Sequence, residues 1–216
     1  MSYFTDSQND FAIYDAPKTG GTTTRLWICY AGTGEIMTES PFPGTKYFKD
    51  NRKSYEQLDE WGYDLLGGFS KSTASTNVCI KRDPVKRFIS CYRDKVLLEG
   101  RCNVSVDDLL DHYDDVVSQH TRPHHYMWDQ KTSYIKFHFD PQTAHFGNNA
   151  DYFDTVFDVS EIGTGVKQFL ESKWKIELPD IHARSTKGVV PELDLSVEQI
   201  DKIKKFYQVD YENGWC

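Results

Sequence analysis

A lysine, two adjacent glycines and a run of threonines stand together in "APKTGGTTTRLW", residues 16–27, at the end of the apolar stretch "FAIYDA", residues 11–16. Glycines let backbone N–H groups approach an anion closely, and a helix that follows adds the positive end of its dipole. Lys18, with Thr22, Thr23 and Thr24, can supply charge and hydroxyl donors, so a phosphate is the natural guest. A second group lies in "KRDPVKRFISCY", residues 81–92, where Arg82 closes an apolar run and Ser90 follows eight residues on, with Arg87 between them. An arginine at a strand end and a serine about two turns along the next helix can grip a second phosphate. The bland alternatives are a solvated turn at the first site and, at the second, an Arg82 paired with Asp83 or Asp94. A third group is the histidine cluster His120, His124 and His125 in "HTRPHHYMWDQK". Imidazole is the side chain best suited to take a proton near neutrality, although a polar surface loop has the same composition. No cysteine lies near these histidines at ligand spacing, so no metal site is expected.

These groups need elements to hold them. "FAIYDA" reads as a buried strand, and "TTTRLWICYAG" has helix-compatible spacing with Leu26, Trp27 and Tyr30. "TNVCIKRD" repeats the strand signature, and Pro84 is well placed in the first turn of a helix striped by Val85, Phe88, Ile89, Tyr92 and Val96. Ser105 can cap "VDDLLDHYDDVV", with acidic residues where the helix dipole favours them. "SYIKFHF" and "DTVFDVS" read as two further strands, Ser160 as the opening of a helix carrying Val166, Phe169 and Leu170, and Ser196 with Gln199 as the capping box of a final helix. Strands alternating with helices predict an α/β fold of three layers with a mostly parallel central sheet, and in such sheets ligands bind beyond the carboxyl ends of the strands. Both phosphate candidates lie at such ends. The stretch 32–76, rich in Gly, Pro, Ser and Thr, reads as loops with at most one short helix around "SYEQLDEWGYDLL".

"PKTGGTT" followed by "RDPVKRFISCY" resembles the paired signatures of sulfotransferases that use 3′-phosphoadenosine 5′-phosphosulfate (PAPS): a 5′-phosphosulfate loop of the PKxGxT type and a 3′-phosphate motif of the RDPxxRxxSxY type. The RDP form looks most like the carbohydrate sulfotransferases, including the uronyl and heparan 2-O enzymes. "HTRPHHYMWDQKTSYI" is similar to the H-x-R-P-Q and D-Q segments of that branch, "YFDTVFDVSEIGTGVKQFLE" to its strand-then-helix stretch, and "HARSTKG" to the loop over the cofactor's 3′ side. The resemblance implies a P-loop-like fold, with Lys18, Thr19, Gly20, Gly21, Thr22 and Thr23 on the 5′-phosphosulfate, Arg82 and Ser90 on the 3′-phosphate, and 3′-phosphoadenosine 5′-phosphate (PAP) as product. Lys18 would neutralise the leaving phosphate. His120 occupies the motif position for the base, but His124 stands where the motif has glutamine, so His125 and His124 remain in contention, as do Glu35 and Glu39 after the first helix. Asp129 and Gln130 could orient acceptor hydroxyls, and Trp61, Tyr126 and Trp128 could stack on sugar faces, core packing being the other account of those rings. The function implied is transfer of a sulfuryl group to a hydroxyl of a carbohydrate-like acceptor. The disturbed histidine motif keeps open a PAP-binding homologue without catalysis. An ATP-dependent phosphotransferase fits less well, because the lysine precedes the glycines and the first glycine of G-x-x-x-x-G-K-[ST] is missing.

Composition sets the outer bounds. A length of 216 residues with 38% hydrophobic content suits one domain over residues 1–216, and a 14% aromatic share suits a ring-lined cleft. The net charge of −8 argues against nucleic acid and anionic membranes as partners, and makes a neutral or lightly charged glycan a more natural acceptor than a densely sulfated polymer. The 5 cysteines, Cys29, Cys79, Cys91, Cys102 and Cys216, lack CxxC spacing and read as mostly reduced and buried, a Cys91–Cys102 bridge being the one pairing left open. The first residues, "MSYFTDSQND", carry no signal-peptide pattern and no stretch is apolar enough to span a bilayer, which predicts a soluble, cytoplasmic protein. The carbohydrate branch usually has a Golgi membrane anchor, so this reading points to a prokaryotic or viral relative or to a trimmed form of a longer chain.

Overall fold

The computed structural model describes residues 3–6, 8–36, 72–119, 134–181 and 188–216. Its centre is a four-stranded sheet in the order β1 (Tyr3–Asp6), β2 (Phe11–Asp15), β3 (Thr76–Lys81), β4 (Thr155–Asp158). β1 runs antiparallel to β2, while β2, β3 and β4 run parallel, with Asp15 opposite Ile80 and Lys81 opposite Asp158. The three parallel strands therefore end at the same edge. Alternation along them sends Phe11, Ile13, Val78 and Ile80 to one face and Ala12, Tyr14 and Cys79 to the other.

The first face is covered by α1 (Gly21–Thr33) through Leu26, Trp27 and Ile28, and by α7 (Lys167–Trp174) through Leu170. Between these two in the chain lie α2 (Pro84–Cys91), α3 (Val106–Asp111), α4 (Tyr113–Gln119), α5 (Tyr134–Phe139) and α6 (Gln142–Phe146). Phe146 of α6, with Phe153 and Trp215, covers the opposite face. The rest of the intervening helices make a second core with α8 (Val197–Phe206), around Phe88, Leu109, Phe139, Ile203 and Tyr207, and α9 (Gln208–Glu212) follows. Helices on both faces of a mostly parallel sheet make the α/β architecture read from the sequence.

The local signals explain most boundaries. Gly20 (φ 92°) and Gly34 (φ 72°) bracket α1 in left-handed conformations, and Pro84 opens α2 behind Asp83, whose carboxylate accepts the Lys86 N–H. Ser105 caps α3, and Ser196 with Gln199 forms the expected capping box on α8. Two expectations change, while the reading of the cysteines as reduced holds. "SYIKFHF" is the helix α5 rather than a strand: Ile135 and Phe139, four apart, are the fully buried pair, and Phe137 between them is only partly buried. The helical stretch after β4 is capped by Asp158 with Glu161, not by Ser160, and passes through short 3₁₀ and π-helical turns (Val159–Glu161, Ile162–Val166) into α7. All five cysteines are free thiols, including Cys91 and Cys102. β1 was not anticipated. Among the described residues no helix is long and apolar enough to cross a membrane.

Candidate functional site

The chain leaves the carboxyl end of β2 at Asp15 and folds its next residues into a tight loop. Thr19 makes the turn: its hydroxyl donates to the Ala16 carbonyl (2.8 Å) and accepts the Ala16 N–H (3.0 Å), and its own N–H returns to the same carbonyl (3.2 Å). Thr19 is fully buried, and its hydroxyl and N–H serve the loop itself. Gly20 and Gly21 are required for two separate reasons. A side chain at Gly20 would suffer the left-handed φ and overlap Ile162, whereas one at Gly21 would overlap the Asp15 carboxylate. Among the described residues the N–H groups of Gly20, Gly21 and Thr22 meet no acceptor, while those of Thr23 and Thr24 turn back to the Gly20 carbonyl. Three amides without an acceptor lie at the positive end of a 13-residue helix, an arrangement that can receive an anion. Asp15 beneath them is fully buried, and burial raises its pKa against the opposing pull of Arg25, which pairs with it at 2.9 Å.

The second junction, after β3, is bolted to this loop by two arginines. Arg82 donates from Nη1 to the Lys18 carbonyl (3.0 Å), and Arg87 donates from Nε to the Pro17 carbonyl (3.0 Å). Arg87 also donates to the carbonyls of Asp140 (2.8 Å) and His138 (3.0 Å) and lies 5.8 Å over the Tyr207 ring. It is fully buried, which makes it an internal staple between loop and helices rather than a ligand contact. Arg82 is only partly buried, yet its Nε is buried and meets no acceptor. Burial lowers the Arg82 pKa, with Cys91 and Asp158 acting in the opposite sense. A fixed guanidinium with an unused donor can receive an oxyanion. The hydroxyl of Ser90, partly buried on α2, makes no hydrogen bond among the described residues.

Lys18 has φ 72° and sends its ammonium to Asp94 at 2.9 Å. Asp94 lies in a π-helical continuation of α2 (Tyr92–Leu98), where the Glu99 N–H reaches the Asp94 carbonyl at 2.9 Å. Its carboxylate is shared with Lys95, also at 2.9 Å. Burial raises the Asp94 pKa, but Lys18 and Lys95 together overcome that and hold it below the ordinary carboxylate value. The alternative in which Arg82 pairs with Asp83 or Asp94 is not what forms: Asp94 sits in a Lys18–Asp94–Lys95 triad, and Asp83 caps α2. Because Lys95 stays paired with Asp94, Lys18 can move to an incoming anion without leaving a bare buried carboxylate.

Comparison with families supplies the decisive observation: the model described as "Sulfotransferase family" matches residues 1–213. The chain belongs to the sulfotransferase family. Comparison with curated proteins and with solved structures finds no match. Membership implies sulfuryl transfer in general and an acceptor bearing a hydroxyl. Within this sulfotransferase, the two motif junctions seen in the sequence are brought together, since Lys18, Gly20, Gly21, Thr22, Thr23 and Arg82 surround one edge of the sheet. His120, His124, His125, Glu39, Asp129, Gln130, Trp61, Tyr126 and Trp128 lie outside the described residues, as does most of "HARSTKG". Glu35 is exposed just beyond α1. The sequence did not single out Arg87 as a staple, nor Gln142, and it set Asp94 against Arg82 rather than Lys18, because each has its partner distant in the chain.

Proposed function

We propose that this sulfotransferase moves the sulfuryl group of PAPS to a hydroxyl of a carbohydrate-like acceptor, as a single domain over residues 1–216 working in the cytoplasm. The observation that carries the reading is the Arg82–Lys18 bond, which ties a strand-end guanidinium with an unused donor to a loop with three free amides. Two anion sites held rigidly together suit a nucleotide phosphorylated at both ends. On this reading Gly20, Gly21, Thr22 and Thr23 bind the 5′-phosphosulfate, and Arg82 with Ser90 binds the 3′-phosphate. Thr19 shapes the loop without touching the ligand.

The chemistry asks for alignment, charge stabilisation and two proton or charge movements. The acceptor oxygen forms a bond to sulfur as the bond from sulfur to the phosphate oxygen breaks, and the hydroxyl proton passes to a base. The loop amides fix the phosphosulfate while the buried triad relays charge: Lys18 leaves Asp94 for the departing oxygen, and Asp94 keeps Lys95. His120 leads as the base, with His125 and His124 behind it. The test is transfer from PAPS to a panel of neutral and lightly charged glycans, read by mass spectrometry. Acceptors that gain a sulfuryl group, with loss of the reaction in Lys18→Ala, support the proposal. PAP binding without transfer to any hydroxyl acceptor would instead support a non-catalytic homologue.

A further inference from the structure

Arg82 sits just past the end of both ladders, since β2 pairs with β3 as far as Ile80 and β3 with β4 as far as Lys81. Its backbone is nevertheless fully held. The Arg82 N–H donates to Gln142 Oε1 (2.9 Å), and Gln142 Nε2 donates to the Arg82 carbonyl (2.8 Å), so one side-chain amide stands where a neighbouring strand would. The orientation of that amide is fixed, because only its oxygen can receive the N–H and only its nitrogen can serve the carbonyl. Gln142 Nε2 also donates to the Trp215 carbonyl (2.9 Å), and the side chain is fully buried. Gln142 is itself anchored at the start of α6. Its N–H donates to Asp210 (2.9 Å), and the same carboxylate accepts the Thr143 N–H (2.8 Å) and hydroxyl (2.9 Å). Asp210 is fully buried in α9.

We infer that Gln142 is a positioning residue for Arg82, and that through it the α6–α9 segment sets how strongly the protein prefers a nucleotide carrying a 3′-phosphate. The inference rests on the reading of Arg82 as the 3′-phosphate ligand. The physical link is short: among the described residues the Arg82 guanidinium has one hydrogen bond, to the Lys18 carbonyl, so the direction of its remaining donors depends on that bond and on how its backbone is held. Gln142 makes the only two side-chain hydrogen bonds to that backbone among the described residues. Gln142 reaches Arg82 through its backbone and not its guanidinium, and it belongs to neither phosphate signature.

The experiment compares PAP with adenosine 5′-phosphate by calorimetric titration of the wild-type chain and of Gln142→Met, which keeps the volume and removes the three side-chain hydrogen bonds. In the wild type PAP binds the tighter of the two. In Gln142→Met the ratio of the two affinities falls about tenfold, equivalent to ~1.4 kcal/mol, with the loss confined to PAP. General destabilisation would weaken both ligands together and leave the ratio unchanged. An unchanged ratio in a variant beside a discriminating wild type overturns the role of Gln142 and leaves the PAPS reading standing. A wild type indifferent to the 3′-phosphate overturns the assignment of Arg82, and the inference with it. Should Gln142→Met fail to fold, Gln142→Glu keeps the acceptor for the Arg82 N–H and sets an oxygen against two carbonyls. The same fall in ratio is expected of it, and an unchanged ratio would again refute the role.

Discussion

Replacing Arg87 with methionine tests whether the anion loop is held by an internal cation. The side chain is fully buried and its charge is met by the carbonyls of Pro17, Asp140 and His138 at 3.0, 2.8 and 3.0 Å. Methionine leaves the Pro17 and Asp140 carbonyls without this donor and the His138 carbonyl with the weaker Cys91 thiol at 3.0 Å, a cost of about 1–3 kcal/mol for each buried carbonyl left unmet. Against this stands relief of the guanidinium's own burial, which costs several kcal/mol. The net expectation is a loss of about 3 kcal/mol, read in urea as a midpoint lowered by roughly 1.5 M for a slope of ~2 kcal/mol/M. PAP affinity should fall as well, since the freed Pro17 carbonyl sits directly before Lys18. Arg87→Lys separates charge from geometry: it keeps the cation but cannot span three carbonyls, and should be at least as unstable as the methionine variant. A midpoint within ~0.3 M of wild type, with PAP binding intact, would refute the reasoning.

Other expectations follow from single contacts. Gly20→Ala should cost about 1–2 kcal/mol from φ 92° alone, plus the overlap with Ile162. In a double-mutant cycle by chemical denaturation Ile162→Ala should recover the overlap part only, and full recovery would mean the backbone angle is unimportant. His145 is buried, with Nε2 unpartnered, and burial together with Arg87 pulls its pKa down to about 3. The unfolded chain then binds a proton that the folded one refuses, so stability should fall as pH drops from ~6.5 towards 3, by up to ~1.4 kcal/mol per pH unit. His145→Phe should flatten that slope, and an identical slope in both proteins would contradict the assignment. Thr19→Val should lower stability by about 1 kcal/mol through its lost Ala16 bonds. A loss of PAP affinity much larger than the loss of stability would instead put its hydroxyl on the ligand.

Much of the frame could be read from short-range patterns. β2, β3 and β4 are runs of apolar and β-branched residues, and Pro84, Ser105 and Ser196 with Gln199 act within a turn of their own position. "SYIKFHF" misleads because Ile135, Phe137 and Phe139 alternate, and a six-residue helix is too short to separate a period of 2 from one of 3.6. β1 was missed because four residues, "YFTD", carry little pattern without the hairpin partner that pairs with them. In the site, the glycines and Lys18 announce themselves, since glycine has a backbone meaning that sequence preserves. Their reasons did not: Gly21 is small because of the Asp15 carboxylate, a contact visible only after folding. The staple role of Arg87, the Lys18–Asp94 pair and Gln142 were illegible for the same reason, as Gln142 meets Arg82 from 60 residues away.

The central claim is that two linked anion sites at one edge of the sheet take a nucleotide phosphorylated at both its 3′ and 5′ positions. Calorimetric titration with PAP, beside ATP with magnesium, tests it most directly. The account predicts micromolar binding of PAP and weak or absent binding of Mg-ATP. Preference for Mg-ATP, or indifference to both, would contradict it.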